Sequence, residues 1–283
     1  MVDSAVDRPD PARSRLAERL RRLRLHAGLS GEELGRRCGF SQPKVSKVEN
    51  ARQTPSIPDV RAWAEATGAS EQETAELIAL AEGVLTQARS WDDELASGVA
   101  AKQARVGELE QAARHLRVFQ TELVPGLLQT AEYARGVFTL VEEFGAIDVE
   151  AAVAARLARQ QLLYDQTRRF ELLVTEAALC WRPGTNAMLA AQMRHIANVA
   201  ALPHVEVGVL PLDARAVAFH HSFVAHDLDL VTVETASREL HITDPDEVAA
   251  HVRRFEILRS AALVGEQCAA LLDRLHTTFL AAP

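Results

Sequence analysis

Between Ser30 and Glu73 the chain signals the start of a helix four times. Ser30 with Glu33, Ser56 with Asp59 and Ser70 with Glu73 each set a hydroxyl three residues before a carboxylate, so side chains can satisfy amides the helix leaves unpaired. Ser41 followed by Pro43 is the fourth start, because a proline in the first turn lacks only an N–H with no helical partner. Starts this close together leave room only for short helices and tight turns. Ahead of them, "RSRLAERLRRLRLHAGLS" puts Leu16, Leu20 and Leu23 on one side of a helix that Gly28 can end in the left-handed conformation. Leu34 and Cys38 follow one turn apart on a second helix, and Gly39 permits the turn into a third. The pattern predicts a compact all-α unit of five helices.

The third helix, in "GFSQPKVSKVENARQTPS", is the informative one. A period of 3.6 turns Val45 and Val48 inward and sends Gln42, Pro43, Ser46 and Lys47 outward from its N-terminal half. That half of the second helix of a helix-turn-helix touches base edges in the major groove. Gln42 can pair with adenine, Lys47 can reach guanine, and Pro43 offers apolar contact to a thymine methyl. Ser41, Lys44, Asn50, Arg52 and Arg36 are placed for phosphate, which fixes register without reading sequence.

Charge supports this reading once it is divided along the chain. The net charge of the 283 residues is −8, but Arg13 to Arg61 carries 12 Lys and Arg against 5 Asp and Glu, a surplus of +7 that leaves −15 for the rest. A basic module on an acidic body is expected where one end alone meets phosphate. No apolar run is long enough for a membrane span, and "MVDSAVDRPDPARSR" lacks the basic-then-apolar pattern of an export signal. Three distant cysteines, Cys38, Cys180 and Cys268, fit a reducing cytoplasm better than a disulfide framework. The expected location is cytoplasmic, nucleoid-associated when DNA is bound.

The segment "LRRLRLHAGLSGEELGRRCGFSQPKVSKVENARQTPS" resembles the Xre/Cro/C1-type helix-turn-helix of phage repressors, with a lambda-repressor-like fold, over roughly residues 13–80. The resemblance implies that Arg24 and Glu49 form an internal, structural ion pair. Two positions depart from the family pattern. Gly31 stands where a phosphate-contacting Gln is usual, leaving the helix N-terminus to face phosphate. Ala51 replaces the usual Gly after Asn50, which asks a residue with a side chain to take or avoid a strained turn.

Beyond Gly83, "SWDDELASGVAAKQARVGELEQAARHLRVF" reads as a connecting helix whose stripe is Leu95, Val99, Val106, Leu109, Ala113 and Leu116. Further helices are expected from about Thr130, after Asp148, from Asn186 to Ala201, and after Asp244-Pro245, with "GEQCAALLDRLHTTFL" as the last. Among them "RRFELLVT", "HVEVGVLP", "HSFVAHD", "LDLVTVET" and "ELHI" are short, β-branched-rich runs. They predict an α+β domain with a small, mainly antiparallel sheet flanked by helices. The expected organisation is a disordered tail over 1–12, a DNA-binding domain over 13–82, a connecting helix over 83–120 and the α+β domain over 121–283.

This body, through "LVPGLLQTAEYAR", "VTEAALCWRP", "HVEVGVLP", "HSFVAHDL" and "VTVETASRELHITDP", resembles the DUF5753 domain that follows Xre-type domains in many actinobacterial regulators. The resemblance implies a transcriptional regulator, in some members paired with a small DUF397-type protein in an antitoxin-like arrangement.

Catalytic signatures are sparse. No phosphate-cradling glycine loop, HExxH or CxxC pair is present, so neither enzyme activity nor a cofactor is expected. His220, His221, His226, Asp227, Asp229 and His241 match no familiar metal spacing, and no metal is expected. Glu176, Glu234, His220 and Trp181 form the candidate effector pocket, with strand-end caps or salt bridges as the alternative role for the two acids and a core role for Trp181. The sequence thus predicts a DNA-binding regulator, homodimeric on an inverted repeat, whose second domain senses a small-molecule effector or a small partner protein. The alternative is an antitoxin-like protein that sequesters a DUF397-type partner and regulates its own operon.

Overall fold

The structure, a computed structural model, describes residues 11–90, 98–142, 147–214, 218, 221–235 and 238–282. They form two compact units, one of the residues up to Gln87 with His241–Pro245, the other of the remainder. The expected tail over 1–10 lies outside the described residues, and Pro11 and Ala12 already belong to the first helix.

In the first unit five helices follow the predicted punctuation: α1 (Pro11–His26), α2 (Gly31–Cys38), α3 (Gln42–Glu49), α4 (Ile57–Thr67) and α5 (Glu71–Leu85). Ser30 and Ser56 each close a capping box, with Glu33 and Asp59, and the Ser41 hydroxyl accepts from Lys44 N–H. Leu16 and Leu20 of α1, Leu34 of α2, Val45 and Val48 of α3, Trp63 of α4 and Leu77 of α5 share one core. Trp63 satisfies its indole N–H there by donating to the Leu20 carbonyl at 3.1 Å. Gly39 ends α2 at φ 72°, and Phe40 N–H returns to the Gly35 carbonyl at 2.8 Å. A Cβ on Gly35 would stand 2.8 Å from the Phe40 carbonyl oxygen, so glycine is what lets the turn fold back onto α2.

The second unit is an α+β layer structure. A strand over Thr86–Ser90 (β1) crosses the division between the units; the second unit then runs α6 (Val99–Ala112), β2 (His115–Gln120), α7 (Ala131–Glu142), α8 (Val149–Gln160), β3 (Arg169–Thr175), α9 (Glu176–Cys180) and α10 (Asn186–Ala200). The chain continues with β4 (Val205–Leu210), β5 (Phe223–His226), β6 (Leu230–Glu234), β7 (Arg238–Ile242), whose last two residues are counted with the first unit, α11 (Pro245–Ala261), β8 (Leu263–Val264) and α12 (Gly265–Ala281). Seven strands take the order β7-β6-β5-β2-β3-β4-β8.

The α+β expectation holds, with most of the pairs among β2–β6 and β8 antiparallel, and one refinement applies to the sheet. The sheet is mixed: β2, β3 and β4 are parallel, while β5 is antiparallel to β2 and to β6, and β8 to β4. The reason lies in the connections, since helices α7 and α8 separate β2 from β3, and α9 and α10 separate β3 from β4, and such crossovers return the chain in the same direction. Parallel strands are covered on both faces, which is why Phe170 through Val174 are all buried. The connecting helix over 83–120 is also revised. Among its described residues, 83–85 end α5 and a separate helix runs from Val99 to Ala112; Leu95 lies outside the described residues, and Leu116 belongs to β2, paired on one side with Phe170 and on the other with His226.

Phe170, Leu172 and Val174 of β3 and Val205, Val207 and Val209 of β4 meet Leu189, Met193 and Ile196 of α10 and Leu271, Leu272 and Leu275 of α12 in the main core. Residues of opposite parity face the other way, where Phe119 and Phe223 pair at 6.0 Å and Phe223 reaches Phe255 of α11 at 6.4 Å. Also on that side, buried Glu171 accepts from His115 at 2.6 Å and Arg169 at 2.8 Å, with Arg117 and Arg259 each at 3.4 Å. Burial alone would raise this carboxyl, but the His115 hydrogen bond, then the charges of His115, Arg169 and Arg117, outweigh it and hold it down at about 2.

Candidate functional sites

The helix α3 presents the face expected of it. Gln42, Pro43, Ser46 and Lys47 are exposed, while Val45 and Val48 are buried beneath them. Their common orientation follows from the helical period, and the Ser41 hydroxyl, accepting from Lys44 N–H, with Pro43 in the first turn, starts the helix there. The Arg24 fork holds this helix against α1. Its Nε and Nη2 donate to the two Glu49 oxygens at 2.5 and 2.8 Å, and Nη1 donates to the Leu29 carbonyl at 2.8 Å. The side chains are 12% and 10% exposed, so the pair is internal. Hydrogen bonding to Glu49 raises the Arg24 pKa against the opposing effect of burial.

The expected phosphate set divides. Ser41, Asn50, Arg52 and Arg36 are exposed. Asn50 also turns its amide back to the Ser46 carbonyl at 2.8 Å, closing the end of α3. Lys44 differs from expectation. Its ammonium donates to Asp59 at 2.8 Å and lies 4.3 Å from the Phe40 ring centroid, because the α4 capping box places a carboxylate within its reach. Lys44 therefore braces α3 against α4. Ala51 takes the left-handed conformation at φ 55°, so the departure from glycine is accommodated as local strain.

The candidate effector pocket is not assembled as expected. Glu176 caps a turn by accepting Leu212 N–H at 2.9 Å, and Glu234 ends β6. Strands β5 and β2 lie between β6 and β3, which separates the two acids by on the order of 14 Å. Trp181, expected to read as core, is 39% exposed after α9, and His220 lies outside the described residues. Of the histidine and acid cluster, Asp227 accepts the Arg114 and His115 amides, the latter at 2.7 Å. Among the described residues no group of three His, Cys, Asp or Glu could hold a metal ion.

Glu234 instead lines a cleft of about 520 Å³ between β2, β5 and β6 on one side and α6, α8 and the segment over 120–129 on the other. Buried Lys102 of α6 donates to Glu234 at 2.8 Å and stands 3.7 Å from Glu239. Arg159 of α8 makes a two-point pair with Glu110, at 2.9 and 2.5 Å. Arg156 has no carboxylate partner among the described residues. Its Nε donates to Gln103 at 3.1 Å, its Nη1 to Gln129 at 2.6 Å, and its guanidinium stands 4.3 Å from the Phe138 ring centroid. Gln103 also accepts from Arg159 Nη1 at 2.5 Å, so one amide oxygen bridges two cations. Burial first, and the Arg159 charge second, push the Arg156 pKa down to about 9.

Sequence reasoning missed these arginines, although a signal existed. Ala152, Val153, Arg156 and Arg159 recur at helical spacing, which sets two guanidiniums on the apolar stripe of α8.

The family described as "Domain of unknown function (DUF5753)" matches residues 103–274, and the one described as "Helix-turn-helix domain" matches residues 15–77. No curated protein matches the chain. Among solved structures, a phospholipase D family member, Nuc from Salmonella typhimurium, is 11% identical over 64% of this chain and 97% of its own, at a TM-score of 0.35. TrmBL2, an archaeal chromatin protein whose structure shows a novel mode of DNA binding, is 13% identical over 88% of this chain and 98% of its own, at 0.32. Scores this low establish no shared fold.

Proposed function

The chain belongs to the DUF5753 family and carries a helix-turn-helix domain ahead of that match, and on this basis we propose that it is a transcriptional regulator reading operator DNA through α3. The observation that carries the proposal is one surface. Gln42, Pro43, Ser46 and Lys47 stand exposed together on the N-terminal half of α3, above a buried Val45–Val48 edge locked by the Arg24–Glu49 pair. Gln42 and Lys47 supply donors matched to adenine and guanine edges, and Arg36, Arg52, Asn50 and Ser41 supply phosphate contacts around them. The basic charge of this segment steers it to DNA.

The protein acts as a homodimer on an inverted repeat, because a single module of this size buries too little surface for tight specificity, and two-fold symmetry then spaces the half-sites by one helical turn. The second unit adjusts operator affinity on binding a small molecule or a small partner protein. It neither turns over a substrate nor holds a cofactor, and the protein works in the cytoplasm. Among the described residues no helix is long and apolar enough to cross a membrane.

Selection of duplexes by the purified protein, followed by variant titrations, tests the reading. Lys47→Ala should weaken binding roughly tenfold and relax preference at particular base positions, whereas Arg52→Ala should weaken all sequences alike and flatten the salt dependence. Equal, sequence-blind losses from both changes would remove the base-reading role of Lys47; failure to bind any duplex at low salt would remove the function.

A further inference from the structure

Among the described residues, Arg156 is the one Lys or Arg at this cleft with no carboxylate within ion-pair distance. Glu110 is neutralised by Arg159, Glu234 and Glu239 face Lys102, and Glu122 accepts from the Ser222 hydroxyl at 2.5 Å. Arg156 keeps its charge while held by two neutral amides, and its Nη2 has no hydrogen-bond partner among the described residues. The side chain is partly exposed and lines the cleft, so the unused edge of the guanidinium is accessible from it. A guanidinium fixed at Nε and Nη1, with an aromatic ring against it, is already oriented and has little rotamer freedom left to lose on binding.

We propose that this cleft binds a small monocarboxylate, with the carboxylate on Arg156 and an apolar body along Val106, Leu109, Leu123 and Leu127. The proposal deepens the regulatory reading above and rests on it for its biological consequence. Three observations favour this chemistry. The volume of about 520 Å³ is within the usual range for a small-molecule site. An anionic group would supply the direct ion pair that Gln103 and Gln129 cannot, and charge-assisted bonds to a planar fork are strong where water is scarce. The walls favour a single negative charge, because the four carboxylates Glu110, Glu122, Glu234 and Glu239 outnumber the cations Arg156, Arg159 and Lys102, an excess that weighs more on a dianion such as phosphate. Gly126 lies beside the site: an added Cβ there would stand 3.7 Å from both Arg156 Nε and Arg159 Nη2, in ordinary contact that narrows the cleft without displacing either guanidinium.

The test titrates the full chain with benzoate, inorganic phosphate and benzylamine at fixed ionic strength, following the side-chain Nε–H resonances of ¹⁵N-labelled arginine. Benzoate should bind saturably and shift Arg156, with phosphate and benzylamine much weaker. Arg156→Gln should weaken benzoate at least about tenfold, the loss expected for bonds to a charged group, while Arg274→Gln, at an exposed position away from the cleft, leaves it unchanged. Should Arg156→Gln fail to fold, Gly126→Ala answers the same question with every charge in place, and should weaken benzoate severalfold. The proposal is overturned if phosphate or benzylamine matches benzoate, if wild type shows no saturable binding, or if Gly126→Ala and a folded Arg156→Gln bind as wild type does. Duplex binding by the same preparations is measured separately. A chain that binds DNA and ignores benzoate refutes the carboxylate site alone, and the reverse result refutes the operator reading alone.

Discussion

Replacing Glu49 by glutamine tests whether the DNA-reading helix is held by an internal charge. In the native protein Arg24 donates twice to Glu49 and once to the Leu29 carbonyl, with both charged side chains about nine-tenths covered. The substituted amide would offer one acceptor oxygen and turn its N–H₂ toward the guanidinium, so one bond is lost and the other becomes a bond to a neutral group. A hydrogen bond to a charged group contributes about 1.5–3 kcal/mol, and breaking a fully buried pair costs about 3–5 kcal/mol. With the Leu29 bond retained and slight exposure on both sides, Glu49→Gln should cost about 2–3 kcal/mol. Arg24→Met should cost about 3 kcal/mol by stranding Glu49, and the double variant should fall short of the sum by about 2 kcal/mol. Native-state hydrogen exchange of the α1 and α3 amides in the full chain reads these opening free energies directly. Lys47→Ala, on the exposed side of the same helix, should change them by less than about 0.5 kcal/mol. A loss below about 0.5 kcal/mol for Glu49→Gln, or coupling near zero, would falsify the role given to the pair.

Three further outcomes follow from particular contacts. Lys44→Ala should lower the stability of the first unit by about 1 kcal/mol and leave the salt slope of duplex binding unchanged, because Lys44 is committed to Asp59 and Phe40; a reduced slope would return it to the phosphate set. Ala51→Gly should stabilise by about 0.5–1 kcal/mol in thermal unfolding, the relief of a left-handed backbone exceeding the added freedom of the unfolded chain. Glu171, held at about 2 when folded, contributes stability that is complete above its ordinary pKa of 4.5 and is lost as pH falls toward 2. Discounted for solvent screening, the contribution is about 1–2 kcal/mol, so unfolding of Glu171→Gln should lose much of the wild-type pH dependence between those values; an unchanged profile would remove Glu171 from it.

The sequence by itself determined the helical punctuation of the first unit and the exposed edge of α3. Caps and helical period are decided within about four residues, so Ser30, Ser41, Ser56 and Gly39 act as the string of letters says they should. The tertiary structure decided what depends on partners far along the chain. His115–Gln120 continues a helical-looking run, yet lies between β3 and β5, because strands more than fifty residues away offer its backbone hydrogen bonds and its side chains a core. Parallel pairing, too, is a property of which strands become neighbours, and no single run states it. Lys44 looked free for phosphate until α4 brought Asp59 beside it. Arg156 looked like one more cation on an amphipathic helix, and only α6 and the segment over 120–129, supplying Gln103 and Gln129, made it a cation held by neutral amides in a cleft. Burial and compensation of charge are long-range quantities, and only the folded chain fixes them.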